Sequence, residues 1–87
     1  MFSLSPTKLV VGGEGGLVAT NRDDVAGAVV LGRDYGNPGD YNCHFPGLNA
    51  RMSELHAAVA LESLSMLDDH LQLRQAEADR YRGGLVG

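Results

Sequence analysis

Residues 9–20 read Leu-Val-Val-Gly-Gly-Glu-Gly-Gly-Leu-Val-Ala-Thr. Two β-prone runs, 9–11 and 17–20, bracket Gly12-Gly13-Glu14-Gly15-Gly16. That pattern predicts a hairpin whose loop is the glycine cluster. Val10, Val11, Leu17 and Val18 do not alternate with polar residues. Such runs suit strands buried on both faces of a larger sheet. A lone hairpin is at best marginally stable in water. The fold therefore turns on whether the rest of the chain supplies more sheet.

It supplies helices instead. Asp23 and Asp24 suit the positive end of a helix dipole, and Asn21 is the expected N-cap. Val25, Ala28, Val29 and Gly32 then fall on one face, so residues 22–34 are expected to be helical. Residues 35–47 hold Gly-Asn-Pro-Gly and Phe-Pro-Gly, which is loop chemistry. From Leu48 to Arg82 there is neither glycine nor proline. Ser53 with Glu54 opens a long helical segment within 48–87. Leu55, Val59, Leu64, Leu67, Leu71, Ala78, Tyr81 and Leu85 mark its apolar face. Asp68-Asp69 suits a second helix start, so a kink is expected near 67–69, and Gly83-Gly84 is the expected stop. The class is α/β: a β-hairpin followed by helices, and a slice of a larger α/β domain.

Composition narrows the function. The chain has 87 residues and a formal net charge of −4, without the basic stripe of a nucleic-acid module. A chain this short buries only about 60% of its unfolded surface. One cysteine makes neither a disulfide framework nor a cysteine-rich zinc site. No apolar run approaches the ~18 residues that would read as a membrane span. With 44% hydrophobic residues, disorder is not expected. These readings describe a soluble protein of a reducing compartment, the cytoplasm, with no nucleic acid and no membrane as partner.

Lys8 is the one lysine beside six arginines. Arginine cannot replace lysine where an amine must lose its proton and attack a carbonyl. Lys8 follows Ser3-Leu-Ser-Pro-Thr and precedes the first β-prone run. It is placed at a sheet edge, where α/β active sites commonly lie. Taken alone, a lysine there is more often an ordinary solvated side chain. Gly12–Gly16 is not a phosphate cradle: the Gly-Lys-Ser/Thr ending of a P-loop is absent, and no helix follows directly. It reads as a turn. Cys43 and His44 are adjacent, a poor geometry for a nucleophile and its base, and no third member is evident.

Three stretches together carry a family likeness. They are Phe2-Ser-Leu-Ser-Pro-Thr-Lys8 with Gly13-Glu-Gly-Gly-Leu-Val-Ala-Thr-Asn21, then Gly47-Leu-Asn-Ala-Arg-Met-Ser-Glu-Leu-His-Ala-Ala58, then the Arg-rich run from Arg74 to Leu85. In that order and spacing the chain resembles the DegT/DnrJ/EryC1/StrS family of pyridoxal-phosphate-dependent sugar aminotransferases, over nearly its whole length. The resemblance implies the fold-type-I transferase fold, an α/β/α sandwich, of which this chain is part of the large domain.

Residue by residue, the resemblance implies that Lys8 forms the Schiff base with the aldehyde of pyridoxal 5'-phosphate and later shuttles a proton. Ser3 matches a serine that binds the cofactor phosphate; without the match it reads as an ordinary loop serine. Asn49 matches an asparagine that reaches across a homodimer interface to the partner's cofactor phosphate. A helix-start signal or an Asx turn accounts for the same residue. Arg51 is read as an ion pair with Glu54, with a substrate carboxylate or phosphate as the other option. His56 stands where the family usually has glutamine, and is read as packing; His70 is read as solvated.

The family's reaction moves an amino group, usually from glutamate or glutamine, to a keto-sugar nucleotide or an aminocyclitol precursor. Family members are several times longer. The acidic partner of the pyridine nitrogen would lie upstream and the small domain downstream. The expectation is therefore a truncated frame, a partial gene or an internal start, inactive by itself. Two other classes stay open: a non-catalytic helical interaction fragment, whose apolar face invites helix pairing, and a gene remnant with exposed strand edges.

Overall fold

In the computed structural model, which describes residues 1–85, the glycine cluster is gripped from the N-terminal side. The Leu4 N–H donates to the Gly15 carbonyl at 2.9 Å, and the Leu4 carbonyl accepts from the Gly12 N–H at 2.9 Å. Strand β1 (Phe2–Ser3) thereby lies antiparallel to β2 (Gly16–Leu17), with Phe2 opposite Leu17 and Ser3 opposite Gly16. This corrects the expected hairpin. Residues 9–11 are not a strand and do not pair with 17–20. Leu4 takes the backbone groups of the glycine turn, while the Val11 N–H is drawn away to the Ser63 hydroxyl at 2.9 Å. Gly15 sits at φ +121, and an added Cβ would stand 2.8 Å from Met52 Cε, so the turn needs glycine there.

Leu4 is the hydrophobic side chain that this arrangement buries, with 1% of its surface exposed. Leu17 and Val18 remain exposed. Runs without polar alternation are suited to sheet neighbours, and among the described residues only β1 lies beside them.

Helix α1 runs Asp23–Gly32, shorter than the expected 22–34. Arg22, not Asn21, is its N-cap, in an extended conformation and without a side-chain cap bond. The Arg22 N–H is taken by Thr20 Oγ1 at 3.1 Å, and its guanidinium pairs with Asp24. Asp23 and Asp24 lie in the first turn, where the helix dipole favours them.

Residues 34–49 form a loop with a closed neck. Asp34 and Asn49 make an antiparallel bridge. On either side the Leu48 N–H donates to the Gly32 carbonyl at 2.7 Å and the Ala50 N–H to the Arg33 carbonyl at 2.8 Å. Gly36, at φ +72, has the Phe45 carbonyl where a Cβ would be. These bonds hold residues 48–50 out of the helical segment expected from 48.

Helix α2 (Glu54–Ser65) starts only after Ser53, whose extended backbone and side-chain oxygen, accepting from the His56 N–H, make an N-cap. The helical run divides at Met66, just ahead of the expected 67–69. Helix α3 (Leu67–Gly84) carries Asp68 and Asp69 in its first turn, and Leu85 follows as its C-cap. Gly83 and Gly84 are thus its last residues; the remainder of the expected 48–87 segment, residues 86–87, lies outside the described residues. Most of the apolar face of this run is bare: Leu55 is 80% and Tyr81 69% exposed, while Leu67 and Ala78 are half-buried. The molecule is elongated, 63 × 26 × 19 Å. Among the described residues no helix is long and apolar enough to cross a membrane.

Candidate functional site

Ser5-Pro6-Thr7-Lys8 forms a β-turn, closed by the Lys8 N–H on the Ser5 carbonyl at 3.0 Å. Proline in the second position presets the backbone for it. Lys8 leaves this turn exposed, and among the described residues its amine is in no ion pair or hydrogen bond. It stands at an open, largely apolar groove of about 620 Å³ between the loop and the α2–α3 run. Val59, Met66 and Leu73 supply apolar wall, and Glu62, His70 and Arg74 supply charge. His70, read as solvated, therefore borders this groove.

Ser3 is exposed and donates to Ser5 Oγ at 3.2 Å, while its own oxygen accepts the Ser5 N–H at 3.4 Å. Two hydroxyls and an N–H thus gather beside β1. Asn49 is exposed, its backbone in the bridge to Asp34. Neither Ser3 nor Asn49 lines the groove at Lys8.

Arg51 does not pair with Glu54. Its Nε lies 3.4 Å from Asp34 Oδ1, and its guanidinium stands 5.9 Å over the Tyr35 ring. The bridge at Asn49 carries Arg51 to the end of α1 before α2 begins, which decides the partner. His56 Nδ1 is 2.6 Å from Ser53 Oγ, and its ring packs on the turn, where a Cβ on Gly13 would meet it at 3.2 Å. Cys43 is exposed and in no disulfide. Among the described residues no three His, Cys, Asp or Glu side chains cluster as a metal site.

Two residues that matter here escape a reading of motifs. Leu4 closes both sides of the loop that carries Lys8, and Ser63, 5% exposed, accepts the Val11 N–H. Two serines, Ser63 and Ser65, lie near the end of α2, and nothing in the sequence separates the one that reaches Val11 from the one whose hydroxyl donates to the Glu62 carbonyl.

Comparison with known proteins bears on this site. The family model of the DegT/DnrJ/EryC1/StrS aminotransferase family matches residues 1–87. The chain is 38% identical to GDP-perosamine synthase of Caulobacter vibrioides, over 98% of this chain and 24% of that enzyme. It is 40% identical to dTDP-3-amino-3,4,6-trideoxy-alpha-D-glucose transaminase of Micromonospora megalomicea, over 98% of this chain and 23% of that enzyme. It is 33% identical to UDP-2-acetamido-2-deoxy-3-oxo-D-glucuronate aminotransferase of Pseudomonas aeruginosa, over 79% of this chain and 19% of that enzyme. The chain spans about a quarter or less of the length of these curated relatives. No solved structure matches.

Proposed function

The chain belongs to the DegT/DnrJ/EryC1/StrS aminotransferase family, and on that premise we propose that it is the cofactor-lysine segment of a sugar aminotransferase. In this reading it forms part of the large domain of a fold-type-I pyridoxal-phosphate transferase that is a homodimer. The substrate class is a keto-sugar nucleotide or aminocyclitol precursor, with glutamate or glutamine as amino donor. The observation that carries the proposal is the family match across the whole chain; the reading of Lys8 is supported by its being the one lysine of the chain, in a stretch that resembles the family's lysine motif.

The donors suit the group. An aldehyde calls for an accessible amine, and Lys8 offers one that no carboxylate occupies among the described residues. A phosphate calls for short donors, and the Ser3 and Ser5 hydroxyls with the Ser5 N–H lie together. Pyridoxal phosphate, when bound, supplies an electron sink for charge developing at the substrate carbon. Lys8 Nζ would hold the group through its aldehyde, and the amine would then hold and move the proton at the substrate carbon. Ser3 would bind its phosphate. The Asn49 amide would donate to the phosphate held by the other subunit without adding charge. Because Ser3 does not line the groove at Lys8, and the chain spans about a quarter or less of its relatives' length, the 87-residue chain alone is expected to transfer no amino group.

The test is a replacement. Residues 1–87 are substituted for the matching stretch of the Caulobacter GDP-perosamine synthase, with and without Lys8→Ala. The Lys8 chimera is expected to transaminate and the alanine form to lose roughly 10²–10⁴-fold or more. Activity that survives Lys8→Ala removes the residue from the chemistry, and turnover by the isolated chain contradicts the expected inactivity.

A second reading, a helical interaction module, is favoured by the bare apolar face of α2 and α3. Sedimentation equilibrium separates it: self-association supports it, and a monomer at all concentrations counts against it.

A further inference from the structure

We infer that Ser63 is a positioning residue for Lys8, acting through the backbone of Val11. The inference rests on the reading of Lys8 as the cofactor lysine and goes one step further, to what holds that lysine in place. The loop from Ser5 to Val11 is closed at its entry by Leu4 and internally by the Ser5–Lys8 turn. At its exit the Val11 N–H donates to Ser63 Oγ at 2.9 Å, a bond that joins residues 52 apart in sequence. Among the described residues it is the hydrogen bond that ties this loop to a helix.

Ser63 is suited to the task. It is 5% exposed, so its hydroxyl is shielded from competing water. It lies on α2, a capped helix of 12 residues, and borders the same groove as Lys8. Val11 lies three positions after Lys8, a reach of about 10 Å at most. An anchor so near limits how far the amine can wander from the groove. Exposed loops lack such anchors and open locally at little cost.

Ser63→Ala deletes the acceptor without weakening α2, because alanine is the better helix former. Ser63→Thr restores a hydroxyl. The 87-residue chain has two primary amines, Lys8 and the N-terminus, so each reports against the other. Amide exchange at Val11 is measured by NMR. Both amines are then trapped with pyridoxal phosphate and borohydride, and separately with formaldehyde and borohydride, and quantified by peptide mass.

Wild type is expected to protect the Val11 amide and to trap pyridoxal phosphate at Lys8 in preference to the N-terminus. In Ser63→Ala, Val11 is expected to exchange roughly fivefold to a hundredfold faster. The Lys8 preference for pyridoxal phosphate falls while that for formaldehyde holds, and Ser63→Thr recovers both readings. A general loosening would move the two aldehydes together and would refute positioning. An unprotected Val11 in wild type overturns the anchor without any variant. An unchanged preference in Ser63→Ala overturns it when wild type shows one. A wild type with no preference for Lys8 overturns the cofactor-lysine reading itself, and the positioning role with it.

Discussion

Leu4→Ala is the sharpest test of how the lysine loop is built. The side chain is almost wholly buried, while the two hydrogen bonds that close the loop use only the Leu4 main chain. Alanine keeps both bonds and removes the packing, so the variant isolates the apolar term. Leucine-to-alanine changes in well-packed cores cost about 2.7–5.0 kcal/mol, rising with the cavity left. Here the cover is thin, since each flanking strand has two residues and the chain can close onto the gap. The expected cost is therefore near the low end, about 2–3 kcal/mol. Read as local opening, that is roughly 30- to 160-fold faster exchange of the Gly12 amide, which donates to the Leu4 carbonyl. Leu4→Met preserves volume and is expected to cost less than about 1.5 kcal/mol. An acceleration below about threefold in Leu4→Ala, where an apolar term of this size should give far more, would show that main-chain bonds alone hold the loop.

Gly36→Ala is expected to disrupt the 34–49 loop, since the new Cβ meets the Phe45 carbonyl and the left-handed angle alone costs roughly 1–2 kcal/mol; retained protection of the His44 amide, which bonds the Gly36 carbonyl, would contradict this. Arg51→Gln and Asp34→Asn, measured singly and together by urea unfolding, are expected to couple by less than about 1 kcal/mol, because both groups are exposed. The Arg22 guanidinium holds the Asp24 carboxyl below its ordinary value, with smaller help from main-chain N–H groups. A lowered folded-state value means stabilisation that is present above the unfolded value and lost as pH falls through the folded one, below about pH 4. Carbon-detected titration should place the Asp24 midpoint below that of a model peptide, and Arg22→Gln should raise it; an unmoved midpoint would break the link.

What was legible and what was not divides by the range of the interactions. Ser53 as a helix start is a local matter, written in one extended residue and the N–H three residues on. The need for glycine at residue 15 follows the same rule, from a positive φ. The partner of Leu17 is different. Residues 9–11 and residue 2 are both β-compatible neighbours in sequence, and nothing local separates them. The choice falls to Phe2 because Leu4 occupies the glycine turn and Ser63 captures Val11. Arg51 shows the same limit. Glu54 lies at helical spacing, yet the bridge at Asn49 places Asp34 nearer.

The sequence by itself determined the family, through three motifs in order, and singled out Lys8 by being the only lysine among arginines. It determined the start of α2, because the Ser53 cap acts within one turn, but not the cap of α1, which is Arg22 and not Asn21. Only the tertiary structure decided which strand pairs with β2, which carboxylate meets Arg51 and which hydroxyl stands behind the lysine loop. Those choices join groups up to 52 residues apart. Each backbone N–H there must find an acceptor, and which one it finds depends on the packing of the folded chain.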